Sequence, residues 1–285
     1  MRPVTVLEGI QKSADFLAKK GVESPRLQAE LLLAHVLNSP RMKLYLDFER
    51  ALSAEQVASL RELVQRRGRR EPLQHILGST SFCGFAIAVN SHVLVPRPET
   101  ELLAERGWEF LAGIPGQARA LDFGTGSGCL AIALAAKAPQ ARITAIDISA
   151  EALELARKNA GANRMTERIT FLSGDGFSAL TETSSFHLII GNPPYVPTGE
   201  IETLEPEVRD YDPRAALDGG RDGLEFYRRL AADARRFLSA DGRIMLEFGD
   251  GQANSIRQIF EEQNWIVEAV QEDYSRRPRI FVARL

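Results

Sequence analysis

The chain has 285 residues, 44% of them hydrophobic and 26% charged, with a formal net charge of -3. This is enough apolar sequence for one large domain or two unequal ones, and the ordinary share of charge excludes wholesale disorder. Proteins that grip a long stretch of nucleic acid usually carry a basic excess, so we expect no direct nucleic-acid partner.

The cysteines and histidines exclude two further classes. Cys83 and Cys129 form no C-x-x-C pair and the four histidines do not cluster, which argues against a metal site. A disulfide framework is not expected at this size. Residues 1–20 lack the apolar core of a signal peptide, and no run approaches the roughly 18–20 apolar residues of a membrane-spanning helix. We therefore expect a cytoplasmic protein without membrane contact.

The first part of the chain has helical patterns only. Residues 4–20 place apolar side chains at helical spacing. Ser24-Pro25 predicts an N-cap and a first helical position, and Ser53 with Gln56 predicts a capping box. We assign residues 1–70 to an N-terminal helical domain.

The pattern then changes to the alternation typical of strands. Apolar residues alternate over 79–96, with Asn90-Ser91 between the two halves, which predicts a β-hairpin turning there. Pro96 and Pro98 interrupt any regular element beyond it. We assign residues 71–96 to a connector.

Residues 97–285 form the third predicted part, in which strands and helices alternate. Near-continuous apolar strands between helices indicate a mostly parallel sheet covered on both faces. No helix separates the last two strands, so they should pair as an antiparallel hairpin. The predicted strands are 118–123, 142–146, 169–172, 187–190, 243–248, 266–270 and 280–282, and the helices are 130–138, 150–160, 224–238 and 253–263.

A glycine loop follows the first of these strands. Gly124, Gly126 and Gly128 let the backbone turn tightly and approach a ligand closely. Asp147 ends the next strand, where an acid can accept hydrogen bonds from ribose hydroxyls. The spacing is G-x-G-x-G rather than the G-x-G-x-x-G of dinucleotide sites, and Asp122 beside it would repel a pyrophosphate but suit an ammonium group. The loop therefore favours S-adenosylmethionine over NAD.

The most informative motif ends the fourth strand, at Asn192-Pro193-Pro194-Tyr195. A planar NH2 group needs two acceptors in its plane, and the Asn192 side-chain oxygen and the Pro193 carbonyl can supply them. Tyr195 can stack on a planar amide or base. Two such hydrogen bonds hold a weakly nucleophilic nitrogen and accept the positive charge that develops during methyl transfer. The motif predicts an N-methyltransferase without a strong general base.

With these motifs, the sequence resembles the HemK/PrmC family, the protein-(glutamine-N5) methyltransferases of peptide chain release factors. The resemblance covers nearly the whole chain. It is also carried by the motif EPLQHILG at Glu71–Gly78 and by VPRPETE at Val95–Glu101. These two motifs separate this family from other enzymes that share N-P-P-Y.

The resemblance implies a fold, a reaction and a partner. The fold is α/β: a class I S-adenosylmethionine methyltransferase, Rossmann-like, with a seven-stranded mostly parallel sheet, a terminal antiparallel hairpin and a small N-terminal helical bundle. The reaction methylates the glutamine of a Gly-Gly-Gln motif in class 1 release factors, with S-adenosyl-L-homocysteine as product. The helical domain would help to dock the release factor, and nothing in the sequence demands an oligomer, so we expect a monomer.

The resemblance also assigns site residues. Asn192, Pro193, Pro194 and Tyr195 would hold the glutamine and serve catalysis. The cofactor would be held by Gly124, Thr125, Gly126, Ser127, Gly128, Asp147, Gly176 and Asn192.

The sequence departs from the family pattern at two places. Gly176 stands near the expected adenine position, where some members have a tryptophan, so only its backbone could contribute and Phe177 could take part instead. Residues 273–279 replace the family's Asp-Leu-x-Gly pattern with a more basic turn.

Two segments leave their roles open. The basic run 66–70 suits either a solvated helix end or a contact with the release factor or RNA. Arg97, Glu99 and Thr100 could close over the cofactor or brace the two domains.

Three other functions compete with release factor methylation. A ribosomal-protein glutamine methyltransferase would use the same chemistry. A nucleic-acid adenine-N6 methyltransferase shares N-P-P-Y but usually needs a recognition domain, for which there is little room between Tyr195 and Gly242. An NAD-dependent oxidoreductase or a non-catalytic nucleotide-binding module is opposed by the glycine spacing and by N-P-P-Y.

Overall fold

The computed structural model of the protein describes residues 3–285. By their internal packing these residues form two units. One consists of the chain up to Gly78 together with Glu205–Tyr211, and the other of Ser79–Leu204 and Asp212–Leu285. The domain limits inferred from the sequence, at residues 70 and 96, stay a prediction. Within residues 3–285, no helix is both long enough and apolar enough to cross a membrane.

The first unit is helical and has its own apolar core. Val6, Ile10, Leu32 and Leu33 are almost completely buried in it. Its helices are α1 (Val6–Lys19), α2 (Pro25–Val36), α3 (Arg41–Leu44), α4 (Ala54–Gly68), α5 (Leu73–Leu77) and, from the later segment, α9 (Pro206–Arg209).

The helix starts test the predicted caps. Ser53 accepts a hydrogen bond from the Gln56 backbone amide, and the Gln56 side chain accepts one from the Ser53 amide, so the predicted capping box is confirmed. Pro25 is the first residue of α2, as predicted. Ser24 occupies the N-cap position but makes no capping hydrogen bond, because its backbone is left-handed (φ 46°) rather than extended.

Three of the four arginines in the basic run at the end of α4 form ion pairs within this unit. Arg66 pairs with Glu71. Arg67 is only 4% exposed and pairs with Glu207 at 2.6 Å, and Arg70 pairs with the same carboxylate. Of the two roles left open for the run, a solvated helix end does not apply to Arg67, because a later acidic segment covers it.

The second unit is built on a seven-stranded sheet. Its strand order is β5-β4-β3-β6-β7-β9-β8, with β9 antiparallel to both neighbours and the other pairs parallel. The predicted fold class and terminal hairpin are confirmed. The sheet strands are β3 (Arg119–Phe123), β4 (Arg142–Asp147), β5 (Ile169–Ser173), β6 (Phe186–Gly191), β7 (Leu238–Glu247), β8 (Ile266–Glu272) and β9 (Pro278–Arg284); the helices are α6 (Pro98–Ala112), α7 (Cys129–Lys137), α8 (Ala150–Ala162), α10 (Glu225–Asp233) and α11 (Ala253–Glu262).

Strand β6 shows why the strand pattern was continuous rather than alternating. Leu188 and Ile190 belong to the apolar cluster that includes α6 and α7, whereas Ile189 belongs to the cluster that includes α10 and α11. Successive side chains point to opposite faces of a sheet, so a sheet covered by helices on both faces buries nearly every residue of its central strands.

The hairpin before the sheet is real, but its predicted turn is wrong. Strands β1 (Ser79–Phe82) and β2 (Phe85–Ala88) are joined by Cys83 and Gly84, both with positive φ (49° and 83°), as a two-residue hairpin turn requires. Asn90 instead makes a local turn by accepting from the His92 amide. The later alternation arises because Val93 and Val95 are both buried, without forming a strand.

The structure corrects the predicted helix 224–238 and shows how the basic turn at 273–279 is held. The predicted helix 224–238 ends early: α10 stops at Asp233, a 3₁₀ turn follows, and Leu238 already pairs with Phe186 in the sheet. The basic turn at 273–279 is ordered by Asp273, whose carboxylate accepts from the amides of Ser275 and Arg277.

Candidate functional site

The glycine loop runs from the end of β3 into α7. Gly124, Gly126 and Gly128 have φ of 70°, 52° and 80°, in the left-handed region that favours glycine. A Cβ at Gly124 or Gly126 would meet nothing within 4 Å, whereas at Gly128 it would lie 3.1 Å from the Cβ of Ala156. The first two glycines therefore leave space beside the loop, and the third lets α7 and α8 pack closely.

Asp122 lies beneath this loop. It is completely buried, and its Oδ2 accepts from the Thr125 hydroxyl at 2.6 Å and from the Ala131 amide at 3.1 Å. Burial raises its pKa to about 7, although these two hydrogen bonds oppose the shift. Asp122 does not line the cavity described below. The expected contact with an ammonium group is therefore not the geometry found, because Asp122 turns inward and holds the loop.

Asp147 joins the loop to the end of the second strand. Its Oδ2 accepts from the Gly126 amide at 2.8 Å, and its Oδ1 accepts from the Ser149 amide at 2.9 Å. Ser149 is in turn the N-cap of α8. Each carboxylate oxygen has a further lone pair, so Asp147 can still accept from a ligand hydroxyl.

A cavity of about 310 Å³ lies at the carboxyl ends of the parallel strands, within the range of small-molecule sites. Gly128 and Tyr195 are absent from its lining. The predicted site residues that do line it are Gly124, Thr125, Gly126, Ser127, Asp147, Gly176, Asn192, Pro193 and Pro194.

Sequence reasoning missed several lining residues. Ile148 directly follows Asp147 and is 67% exposed, which makes it an apolar surface inside the cavity. The only sequence signal for it is a large apolar residue just beyond a strand end. Val93 and Phe226 also line the cavity, but they come from segments with no motif.

Gly176 and Phe177 have different surroundings. Gly176 lines the cavity with φ of 58°, and a Cβ there would lie 3.0 Å from the Phe123 ring. Phe177 stacks on Phe237 at 5.1 Å between ring centroids. Phe177 does not line the cavity, and its half-buried ring packs against the core, so its part in holding the adenine stays a prediction.

The Asn192 side chain is held at one end only. Its Nδ2 donates to Glu247 Oε1 at 2.9 Å and to Thr100 Oγ1 at 3.3 Å. Within residues 3–285, neither Asn192 Oδ1 nor the Pro193 carbonyl accepts a hydrogen bond, and both residues line the cavity. Two acceptors in cavity-lining residues of the motif thus have no partner among the described residues.

Tyr195 is half-buried against the core rather than exposed in the cavity. Burial raises the pKa of its hydroxyl to about 12, so it stays neutral. Its backbone carbonyl accepts from Gln252 Nε2 at 2.9 Å, and a Cβ at Gly249 would lie 2.9 Å from its ring. The segment after β7 therefore packs against the N-P-P-Y motif at Tyr195.

Of the residues with open roles, Arg97 pairs with Asp212 at 2.7 Å and lines the cavity, and Thr100 contacts Asn192. Burial raises the pKa of Asp212 to about 6.

Within the part of the chain that the structure describes, no group of three His, Cys, Asp or Glu side chains could hold a metal ion.

Two family models match separate parts of the chain. The PrmC N-terminal domain matches residues 8–78, and the methyltransferase small domain matches residues 104–205.

Curated relatives match almost the whole chain. A release factor glutamine methyltransferase of Geobacter sulfurreducens is 44% identical over 256 residues, which cover 90% of this chain and 88% of that protein. Another, of Chlorobaculum tepidum, is 40% identical over 282 residues, covering 96% and 95%. The chain belongs to the release factor glutamine methyltransferase family.

This membership confirms the resemblance seen in the sequence and makes the chain a methyltransferase. A crystal structure of a methyltransferase from Pyrococcus furiosus shares the fold, with a TM-score of 0.55 and 21% identity over 77% of this chain and 97% of that one. Family and fold together imply that this chain uses S-adenosylmethionine as its methyl donor.

Proposed function

We propose that this chain transfers a methyl group from S-adenosylmethionine to the side-chain amide nitrogen (N5) of the glutamine in the Gly-Gly-Gln motif of class 1 peptide chain release factors. One observation carries the proposal: Asn192 Oδ1 and the Pro193 carbonyl are both without partners within residues 3–285, at one side of a cavity that begins at a glycine loop. Two acceptors suit the two N–H bonds of a carboxamide NH2 group.

The residues around the cavity fit the implied cofactor. The space beside Gly124 and Gly126 would be filled by any side chain, so the loop can approach a ligand closely. The remaining lone pairs of Asp147 suit the ribose hydroxyls, and exposed Ile148 suits an apolar ring face. Thr125, Ser127 and Gly176 complete the proposed set, while Gly128 contributes by packing. S-adenosylmethionine bound there would supply an electrophilic methyl group on a positively charged sulfur.

The N-P-P-Y motif would then act on the amide. Hydrogen bonds from the glutamine N–H groups to Asn192 Oδ1 and to the Pro193 carbonyl hold the nitrogen in line with the methyl group and stabilise the positive charge that builds on it. Methyl transfer would form the new N–C bond from the nitrogen lone pair, leave the C–S electron pair on sulfur and release one N–H proton to water. Pro194 fixes the backbone of the motif, and Tyr195 supports it from the core side.

The helical unit is proposed to help dock the release factor, which would place the enzyme's work in the cytoplasm. The relatives' names support this substrate over the competing ones, since they are release factor glutamine methyltransferases.

The test is a transfer assay with methyl-labelled S-adenosylmethionine and a release factor carrying either Gly-Gly-Gln or Gly-Gly-Ala. Label on the Gly-Gly-Gln protein alone supports the proposal. Equal label on both proteins contradicts the choice of residue. Label on ribosomal protein or on nucleic acid, with none on the release factor, would replace the proposed substrate.

A further inference from the structure

The Asn192 carboxamide has two ends of similar shape and opposite hydrogen-bonding character. Its oxygen can accept from a substrate NH2 group, whereas its own NH2 end can only donate. The proposed reaction therefore needs the oxygen end to face the substrate. A 180° rotation of the side-chain amide would present a donor there and would remove the acceptor.

Hydrogen bonds among Asn192, Thr100 and Glu247 fix this orientation of the Asn192 amide. Asn192 Nδ2 donates to Glu247 Oε1 at 2.9 Å and to Thr100 Oγ1 at 3.3 Å. The Thr100 hydroxyl donates its single hydrogen to Glu247 Oε2 at 2.6 Å. Thr100 therefore offers only a lone pair to Asn192, and an ionised Glu247 can only accept. Both partners select the NH2 end, and a rotated amide would set oxygen against oxygen.

We propose that Glu247, together with Thr100, is a positioning residue for methyl transfer: it fixes the Asn192 side chain with Oδ1 towards the substrate nitrogen. This inference rests on the proposed function, since it assumes that Asn192 receives the glutamine amide. Hydrogen bonds in a chain polarise one another, so the Glu247 carboxylate also makes Asn192 Oδ1 a stronger acceptor for the developing positive charge.

Glu247 is the last residue of β7 and is only 2% exposed. The charged groups that influence it are Glu99, which disfavours its ionised form, and Arg279, which favours it. Two neutral phenols also face it: Tyr195, and Tyr227, whose hydroxyl donates to the Glu247 backbone carbonyl at 2.8 Å. Burial raises the pKa of Glu247 to about 7, so its protonation changes near neutral pH.

Protonation of Glu247 would remove the preference for one orientation of the Asn192 amide. A protonated Glu247 carries a donor and can pair with either end of the Asn192 amide, so the rotated orientation becomes accessible. The kcat of the parent enzyme should therefore fall as the pH is lowered through about 7. The substitution Glu247→Gln keeps the shape of the side chain. Like a protonated Glu247, the glutamine has both a donor and an acceptor, so it can pair with either end of the Asn192 amide.

The experiment measures kcat on the Gly-Gly-Gln release factor across this pH range for the parent, Glu247→Gln, Asn192→Ala and the double variant. We expect Glu247→Gln to lower kcat by about tenfold or more, the size of a lost charge-assisted hydrogen bond, and to abolish the fall below neutral pH. It should leave the dissociation constant for S-adenosylmethionine unchanged. In the Asn192→Ala background it should have no further effect, because the two residues act as one unit.

The matched control is Glu268→Gln, on β8. Glu268 pairs with Arg243 of β7 and Arg284 of β9 and does not line the cavity. If Glu247→Gln fails to fold, the second variant is Thr100→Val, which removes the hydroxyl contacts of Thr100 to Asn192 and to Glu247. It should lower kcat severalfold, and Thr100→Ser should restore most of it.

The outcomes separate the two proposals. If Asn192→Ala loses most of its kcat while Glu247→Gln and Thr100→Val keep kcat within about twofold and keep the acid fall, the positioning role is wrong and the proposed function stands. Additive losses in the double variant also overturn the positioning role. If the parent fails to methylate Gly-Gly-Gln, or if Asn192→Ala keeps the full rate, the proposed function fails and the inference fails with it.

Discussion

The backbone amide of Gly126 donates a hydrogen bond to Oδ2 of Asp147 at 2.8 Å. This bond ties the loop after β3 to the end of β4, so two motifs that are separate in sequence form one edge of the cavity. The Ser149 amide holds the other oxygen of the same carboxylate at 2.9 Å. Asp147 is therefore fixed in place before any ligand arrives.

Removing this carboxylate should weaken cofactor binding. Asp147→Ala loses the proposed ribose contacts and also frees the Gly126 amide, so we expect S-adenosylmethionine to bind about 1–3 kcal/mol less tightly. Isothermal titration calorimetry measures the change. Glu154→Ala, on the exposed side of α8 where Glu154 pairs with Lys158, is the control and should bind normally. Equal affinities for both variants would contradict the assignment of Asp147.

Asn192→Ala should separate turnover from cofactor binding. It removes an acceptor that the proposed transition state uses, so kcat on the release factor should fall by about 10²–10³-fold. The dissociation constant for S-adenosylmethionine should change little, because the loop and Asp147 remain intact. Steady-state kinetics and calorimetry on the same preparation check both statements, and an undiminished kcat would refute the role of Asn192.

The third glycine of the loop should be the most sensitive for stability. Gly128→Ala would suffer left-handed strain of about 1–2 kcal/mol and a clash with Ala156 costing about 1–3 kcal/mol more. Gly84→Ala has a similar φ but nothing within 4 Å of the new Cβ, so it should show the strain alone. Urea denaturation compares the two, and Ala156→Gly should recover part of the loss in the Gly128 variant only. Equal losses in the two variants would show that α7 and α8 are not in close contact there.

Asp122 should make the stability of the protein depend on pH. Its folded pKa of about 7 lies above the ordinary value of 3.8 because of burial. A raised carboxyl pKa favours the folded state at low pH, and that contribution disappears as the pH rises through about 7. Relative to Asp122→Asn, the parent should therefore lose about 2–3 kcal/mol of unfolding free energy between about pH 5 and about pH 9. Denaturation without cofactor at both values measures this, and a constant difference would mean that Asp122 is ionised throughout.

The sequence predicted the parts of the fold that depend on local chemistry. Ser53 and Gln56 form their capping box because both partners lie within one helical turn. The hairpin turn was misplaced because Asn90-Ser91 and Cys83-Gly84 are both plausible turn sequences. In addition, the burial of Val93 produces an apolar alternation like that of a strand. Periodicity alone cannot separate a buried irregular segment from a buried strand.

The same distinction holds for the candidate site. Asp147 and Asn192 could be found from motifs, because each follows a strand end and carries its chemistry in its own side chain. Glu247 could not, since its importance comes from a contact with Asn192 across 55 positions of sequence. Likewise, nothing local reveals that Asp122 turns inward or that Phe177 stacks on Phe237.

The pairing of Arg67 with Glu207 has a consequence for synthesis on the ribosome. The two residues are 140 positions apart, so Arg67 is already translated long before its partner exists. A guanidinium buried without its carboxylate is costly, which should keep the end of α4 frayed in the nascent chain. Although the part of the helical unit up to Gly78 is translated before the second unit, the helical unit should therefore reach its final stability only after translation has passed Tyr211.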